Sequence, residues 1–206
     1  MWKYAVGGVI ASTLLGGLAG LYFFRPTALV INQIPPPSQP IQAATSTYAT
    51  TTFSVVYPTA FPMHDDYAYD QFGPKKLIHG VKITIPMEMA TGTNLSSFDT
   101  GVSIEQLPRA RNCTADIYIQ ADVKTHSQTE NGILYSVATT SNAAAGNLYE
   151  EQVFALSGTH PCTAMRYFIH STNIGNYDAG VVREFNRSAL LATFDEIRRS
   201  VVFRQP

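Results

Sequence analysis

Charge is what this sequence has least of. Only 14% of its 206 residues are Asp, Glu, Lys or Arg, against roughly 25% in an average soluble protein. No acidic residue precedes Asp65, and Lys3 and Arg25 are the only charged side chains in that stretch. Setting those two aside leaves 12 basic against 15 acidic residues. A mildly acidic domain without a basic run cannot neutralise a phosphate backbone, so nucleic acid is excluded as a partner. Polarity is supplied instead by Thr, Ser, Asn and Gln, a composition that suits extracytoplasmic β-rich domains.

Cysteine is almost as scarce. Cys113 and Cys162 are the only two, and in an exported domain they read as one structural disulfide. It would close a loop of about 50 residues and stabilise by roughly 4 kcal/mol in the chain-entropy model. A sharper reading makes Cys162 a nucleophile with His160 or His170 as base, but Pro161 separates His160 from Cys162 and no other triad element is spelled out. The five histidines show neither HxH nor HExxH spacing. His64, Asp65, Asp66 and Asp70 form the densest group of metal-type donors, without the alternation or the glycine of a calcium loop. Walker, Rossmann, serine-hydrolase and kinase signatures are absent. No catalytic residue, metal or cofactor is expected.

Apolar residues, in contrast, make up 45% of the chain. Residues 4–24 carry no charge, and as a helix these 21 residues would reach about 31 Å, the thickness of a bilayer core of about 30 Å. The apolar run is longer than that of a cleaved signal and no small-x-small site follows it. Residues 1–25 therefore read as an uncleaved transmembrane signal-anchor, with the following domain facing outward from a bacterial cytoplasmic membrane. Gly8, Ser12, Gly16 and Gly20 recur every four residues, a spacing that lets two helices approach closely in lipid and would make a homo-oligomer. Residues 26–50 contain Pro26, Pro35, Pro36, Pro37 and Pro40 and read as an extended linker.

The expected domain covers residues 51–206. Its fold class is expected to be α+β: an antiparallel β-sheet packed by a C-terminal amphipathic helix, preceded by the single transmembrane helix. Residues 52–57 (TFSVVY), 81–85 and 101–107 show strand composition or alternation, and each stops at a proline. Residues 66–69 read as a short strand and 113–119 as either helix or strand. Residues 132–140, 148–156 and 164–171 follow turn signals, Asn131–Gly132 being the strongest, and predict a meander of hairpins. Near the end the period becomes helical: Ser188 reads as the cap, followed by Leu190, Leu191, Phe194, Ile197 and Val201 on one face.

The stretch 166–187, RYFIHSTNIGNYDAGVVREFNR, is the most unusual in composition. Arg166, Phe168 and His170 share a strand face, and Asn173, Asn176, Tyr177, Asp178 and Arg183 follow in a polar loop. Arg166, His170, Asn173, Asn176, Tyr177, Asp178 and Arg183 are therefore the candidate binding surface.

The opening FSVVYP with its short aromatic segment, and the closing LLATFDEIRRSVVF, resemble PsbP-like α+β domains as they occur in membrane-anchored bacterial envelope proteins. The resemblance implies a sheet packed by helices and a role as an assembly or stabilising factor of membrane complexes, with no catalytic motif to carry over. The expected function is a tethered, non-enzymatic binding or assembly module for an envelope or membrane protein complex. The alternatives are an envelope hydrolase built on His170 or His160, and a structural subunit of a self-associating assembly.

Overall fold

The computed structural model describes residues 44–204. Eleven strands run through them: β1 (Thr45–Ala49), β2 (Phe53–Pro58), β3 (Met63–His64), β4 (Ala68–Tyr69), β5 (Ile78–Thr84) and β6 (Gly101–Leu107), then β7 (His126–Glu130), β8 (Ile133–Ala144), β9 (Asn147–Leu156), β10 (Cys162–Thr172) and β11 (Val202–Phe203). Two α-helices, α1 (Met87–Ala90) and α2 (Arg187–Arg199), and two 3-10 turns (Ala115–Tyr118 and Ile174–Asn176) complete the order.

The strands form two sheets, and the strand pairs are antiparallel. The small one runs β1-β2-β11; the large one runs β3-β5-β6-β10-β9-β8-β7, with β4 added beside β5. The hairpins β7–β8 and β8–β9 turn through Asn131–Gly132 and Ala145–Gly146, all four residues at positive φ, the geometry that matches the twist of paired strands. β7 covers β8 only from Ile133 to Val137. At the centre, Gly80 and Gly101 lie against the neighbouring strand, where a Cβ would stand 2.1 Å from the Ile104 carbonyl and 2.2 Å from that of Ile83.

Both faces of the large sheet are packed. On the first, Leu190, Phe194 and Ile197 of α2 and Phe53 and Val55 of β2 meet Ile104, Phe154, Met165 and Tyr167. The Phe194 and Tyr167 rings are 5.4 Å apart, edge to face. The helix begins at Asn186, whose side chain accepts from Ala189 N–H at 3.0 Å. The cap is thus two residues ahead of Ser188, which instead donates its hydroxyl to Asn186. After α2, the Ser200 hydroxyl accepts from Val56 N–H at 2.9 Å and ties the helix end to β2. On the second face, Tyr69, Tyr118, Ile119 and Ile78 cover Val153, Ala155 and Ala164. A disulfide between Cys113 and Cys162 fastens this cover to β10.

Two sequence expectations are corrected here. The class is mainly antiparallel β rather than α+β: eleven strands stand against one helix of 13 residues and one of four. The reason is that short segments without a clear hydrophobic alternation in sequence, β1, β3 and β7, are recruited to the sheets by pairing with their neighbours. No helix of the described residues is long and apolar enough to cross a membrane. Residues 1–25, on which the signal-anchor reading rested, and with them Gly8, Ser12, Gly16 and Gly20, lie outside the described residues. Finally, β1 occupies part of the segment assigned to the linker, so ordered structure begins by Thr45.

Replacing Phe194 by Ala should cost about 3–5 kcal/mol, since it empties the centre of the first core; urea unfolding of the two proteins measures it. Glu130 binds Arg198 at 2.6 Å, and its carboxyl pKa is lowered, mainly by that hydrogen bond. A depressed carboxyl pKa contributes stability that is present above the ordinary value of 4.5 and is lost as pH falls through the lower folded value. Unfolding followed against pH should show that loss, and Glu130→Gln should remove it.

Candidate functional site

Strand alternation sends Arg166, Phe168 and His170 of β10 to the second face. The three meet different surroundings. Arg166 is 1% exposed. Its Nε and Nη2 form a two-pronged bond with Glu105 on β6, both at 2.8 Å. Nη2 also donates to the Tyr118 carbonyl at 2.7 Å, and Nη1 to Glu151 on β9. The Tyr69 ring lies 3.6 Å from the guanidinium carbon, and the Tyr69 hydroxyl donates to Glu151. Glu105, 0% exposed, takes a further bond from Ser103 at 2.6 Å. Burial opposes the Arg166 charge, but the Glu105 carboxylate and its hydrogen bonds outweigh it and raise the guanidinium pKa. Burial also pushes the Tyr69 and Tyr118 hydroxyls up, so both stay neutral donors. This guanidinium is committed inside the protein and presents nothing to a ligand.

His170 lies at the far end of β10, half-buried. Its Nδ1 is 2.8 and 2.9 Å from the two oxygens of Asp99, and Tyr149 of β9 stacks on its ring at 4.5 Å. Asp99 also accepts from Ser96 at 3.1 Å. A carboxylate on one ring nitrogen fixes the orientation of the other, but Nε2 is buried with no hydrogen-bond partner. Among the described residues no serine or cysteine side chain bonds to it. Cys162 and Cys113 are joined to one another, and no free thiol remains among the described residues.

The remaining candidates lie together in the loop after β10. Asn173 accepts from Gly175 N–H and opens the 3-10 turn. Asn176 donates to the Gly146 carbonyl in the β8–β9 turn at 3.0 Å. Tyr177 and Asp178 are exposed. The Arg183 backbone pairs with Gly92 and Asn94, leaving its side chain exposed. Thus the structure brings Asn173, Asn176, Tyr177, Asp178 and Arg183 together at one end of the large sheet, with His170 at the base, and sets Arg166 apart from them.

A residue with no sequence signal organises that end. Asn94, buried between the two loops, donates to the Thr172 carbonyl at 2.8 Å and accepts from Phe185 N–H at 3.0 Å. Its own N–H donates to the Arg183 carbonyl at 3.0 Å. Residues 86–100 and 173–186 are therefore bonded to each other as well as to the sheet. Phe98, Asp99 and Tyr149 were likewise invisible as site residues, because they belong to segments remote in sequence. Glu105 carried a faint signal: the one charged residue of the strand GVSIEQL.

Among the described residues no group of three or more His, Cys, Asp or Glu side chains gathers to hold a metal; His64 instead faces Thr84 at 3.3 Å. A cleft of about 570 Å³ opens elsewhere, where the β1–β2 turn meets the ends of β5 and β6, and is lined by Phe53, His79, Val81 and Gln106 among others. No family model matches this chain, and no curated protein matches it at a significant level.

Removing Arg166 alone leaves Glu105 buried without its cation. Arg166→Leu should lose about 3–5 kcal/mol, whereas Arg166→Leu combined with Glu105→Leu should recover much of that loss. Denaturant unfolding of the four proteins of the cycle measures the coupling, and equal losses in single and double variants would refute it.

Proposed function

We propose that the described domain is a non-enzymatic recognition module that docks a partner protein on the loop end of the large sheet. The carrying observation is Phe98, an aromatic side chain 92% exposed on a loop that is held in place. Met87 (72% exposed) lies on the same loop segment, and Val181 (68% exposed), Ile174 and Tyr177 lie on the loop bonded to it through Asn94. Large apolar groups left in water on a braced frame favour a partner with apolar pockets, because little ordering entropy is lost on binding. Asn173, Asn176, Asp178 and Arg183 supply the polar rim such interfaces carry. Charges of both signs there argue against a polyanionic ligand.

The Cys113–Cys162 disulfide favours an oxidising compartment outside the cytoplasm. An envelope protein complex is the partner class that suits this setting, and the likeness to PsbP-like assembly factors points the same way. The test is a photo-crosslinking residue placed at position 98 of the full-length protein in its native cell. One discrete heterologous adduct, absent when the probe is at Thr139, is expected. With that partner purified, Phe98→Ala should weaken binding by about 2 kcal/mol or more, roughly thirtyfold, as an anchor residue does. No adduct, or an unchanged affinity, would reject the docking site.

A further inference from the structure

Lys82 is a buried amine that neither the fold nor the docking surface uses. It stands on β5 opposite Ser103 of β6, and Ser103 stands opposite Arg166 of β10. The adjoining position on β6 is Gly101, opposite Phe168. Lys82 is 8% exposed, and its Nζ rests 5.1 Å from the centre of the Tyr67 ring and 5.0 Å from that of Phe168.

Every carboxylate near this amine is engaged elsewhere. Glu105 and Glu151 are bound to Arg166, and Asp99 to His170. No acidic oxygen among the described residues stands within ion-pair distance of Nζ. The buried side-chain atoms lacking a partner are His170 Nε2 and Arg198 Nη1. Nζ, which makes no hydrogen bond either, therefore keeps contact with solvent. Two aromatic faces hold the cation in place of an anion.

We propose that Lys82 is a reactive amine that condenses with a small aldehyde or ketone to form an imine. The ammonium first gives a proton to solvent, and the free Nζ pair attacks the carbonyl carbon. A C–N bond forms as the C=O π pair moves to oxygen, which takes up a proton to give the carbinolamine. Loss of water then leaves C=N. The protonated imine is a flat, poorly hydrated cation, and the Tyr67 and Phe168 rings stabilise such an ion better than a fully solvated surface does.

Burial favours the neutral form of the amine, the form that attacks. Burial lowers the amine pKa, with Asp99 and Glu105 opposing the shift and Arg166 reinforcing it. The groups facing Lys82 are Asp99 before β6, Glu105 on β6, Arg166 on β10, Glu151 on β9, Tyr67 before β4 and His64, its register partner on β3. Desolvation is the mechanism by which lysines become nucleophiles near neutral pH. Lys75, Lys76 and Lys124 are exposed and serve as internal references.

The test is reductive alkylation of the full-length folded protein with propanal and cyanoborohydride at pH 7, read per site by quantitative peptide mass spectrometry. Lys82 should be labelled several-fold faster than Lys75, Lys76 and Lys124. That advantage should shrink toward pH 10 and vanish in guanidinium. Lys82→Arg keeps the cation between the rings and should abolish the fast-labelled fraction without changing the thermal midpoint much. Labelling of Lys82 at or below the rate of the exposed lysines in the folded protein would overturn the proposal. Because the readout is a rate at one amine, it is independent of whether Phe98 docks a partner.

Discussion

The buried guanidinium of Arg166 is the constraint around which the second face of the large sheet is arranged. Glu105 and Glu151 come from strands on either side of β10, and neither could be covered by Tyr69 and Tyr118 without a cation between them. Arg166 supplies it, and its planar fork accounts for three acceptors at once. Such a network adds little net stability over an apolar replacement. What it does is tie the covering segments to β10, through the Tyr118 carbonyl and the Tyr69 ring. The disulfide then fastens one of those segments to the strand that carries Arg166.

That arrangement divides the face into two halves of different character. Around Arg166 the polar groups are paired and closed to solvent. Beyond it, toward the end of β10, Phe168, Tyr149 and His170 are only partly covered, Lys82 is buried, and Asp99 is bound to His170. The loops beyond are braced by Asn94, which exchanges hydrogen bonds with both β10 and the segment leading into α2.

How much of this the sequence discloses depends on whether the information is local. β6 is read at its observed bounds, because GVSIEQL alternates and stops at a proline. The Asn131–Gly132 turn is read for the same reason, since positive φ is a property of those two residues. β7, HSQTE, has no apolar residue and no period to detect; it is a strand only because β8 lies beside it. β1 hides in a Thr- and Ala-rich stretch that resembles the linker before it. For the site, shared facing of Arg166, Phe168 and His170 follows from alternation alone. Whether that face is wet or covered does not, because Tyr69 and Tyr118 arrive from segments far away in the chain, and Asp99 reaches His170 across 71 residues. Arg166 consequently looks like a surface group in sequence and is an interior one in space.

The small sheet pairs Phe53 with Phe203 and Ser54 with Val202, positions near the two ends of the described residues. Its members also close one side of the core beneath α2. The first core therefore closes only through contacts of long sequence separation, whose loop-closure entropy must be met before burial rewards it, so formation of this small sheet belongs to the slow, late part of folding.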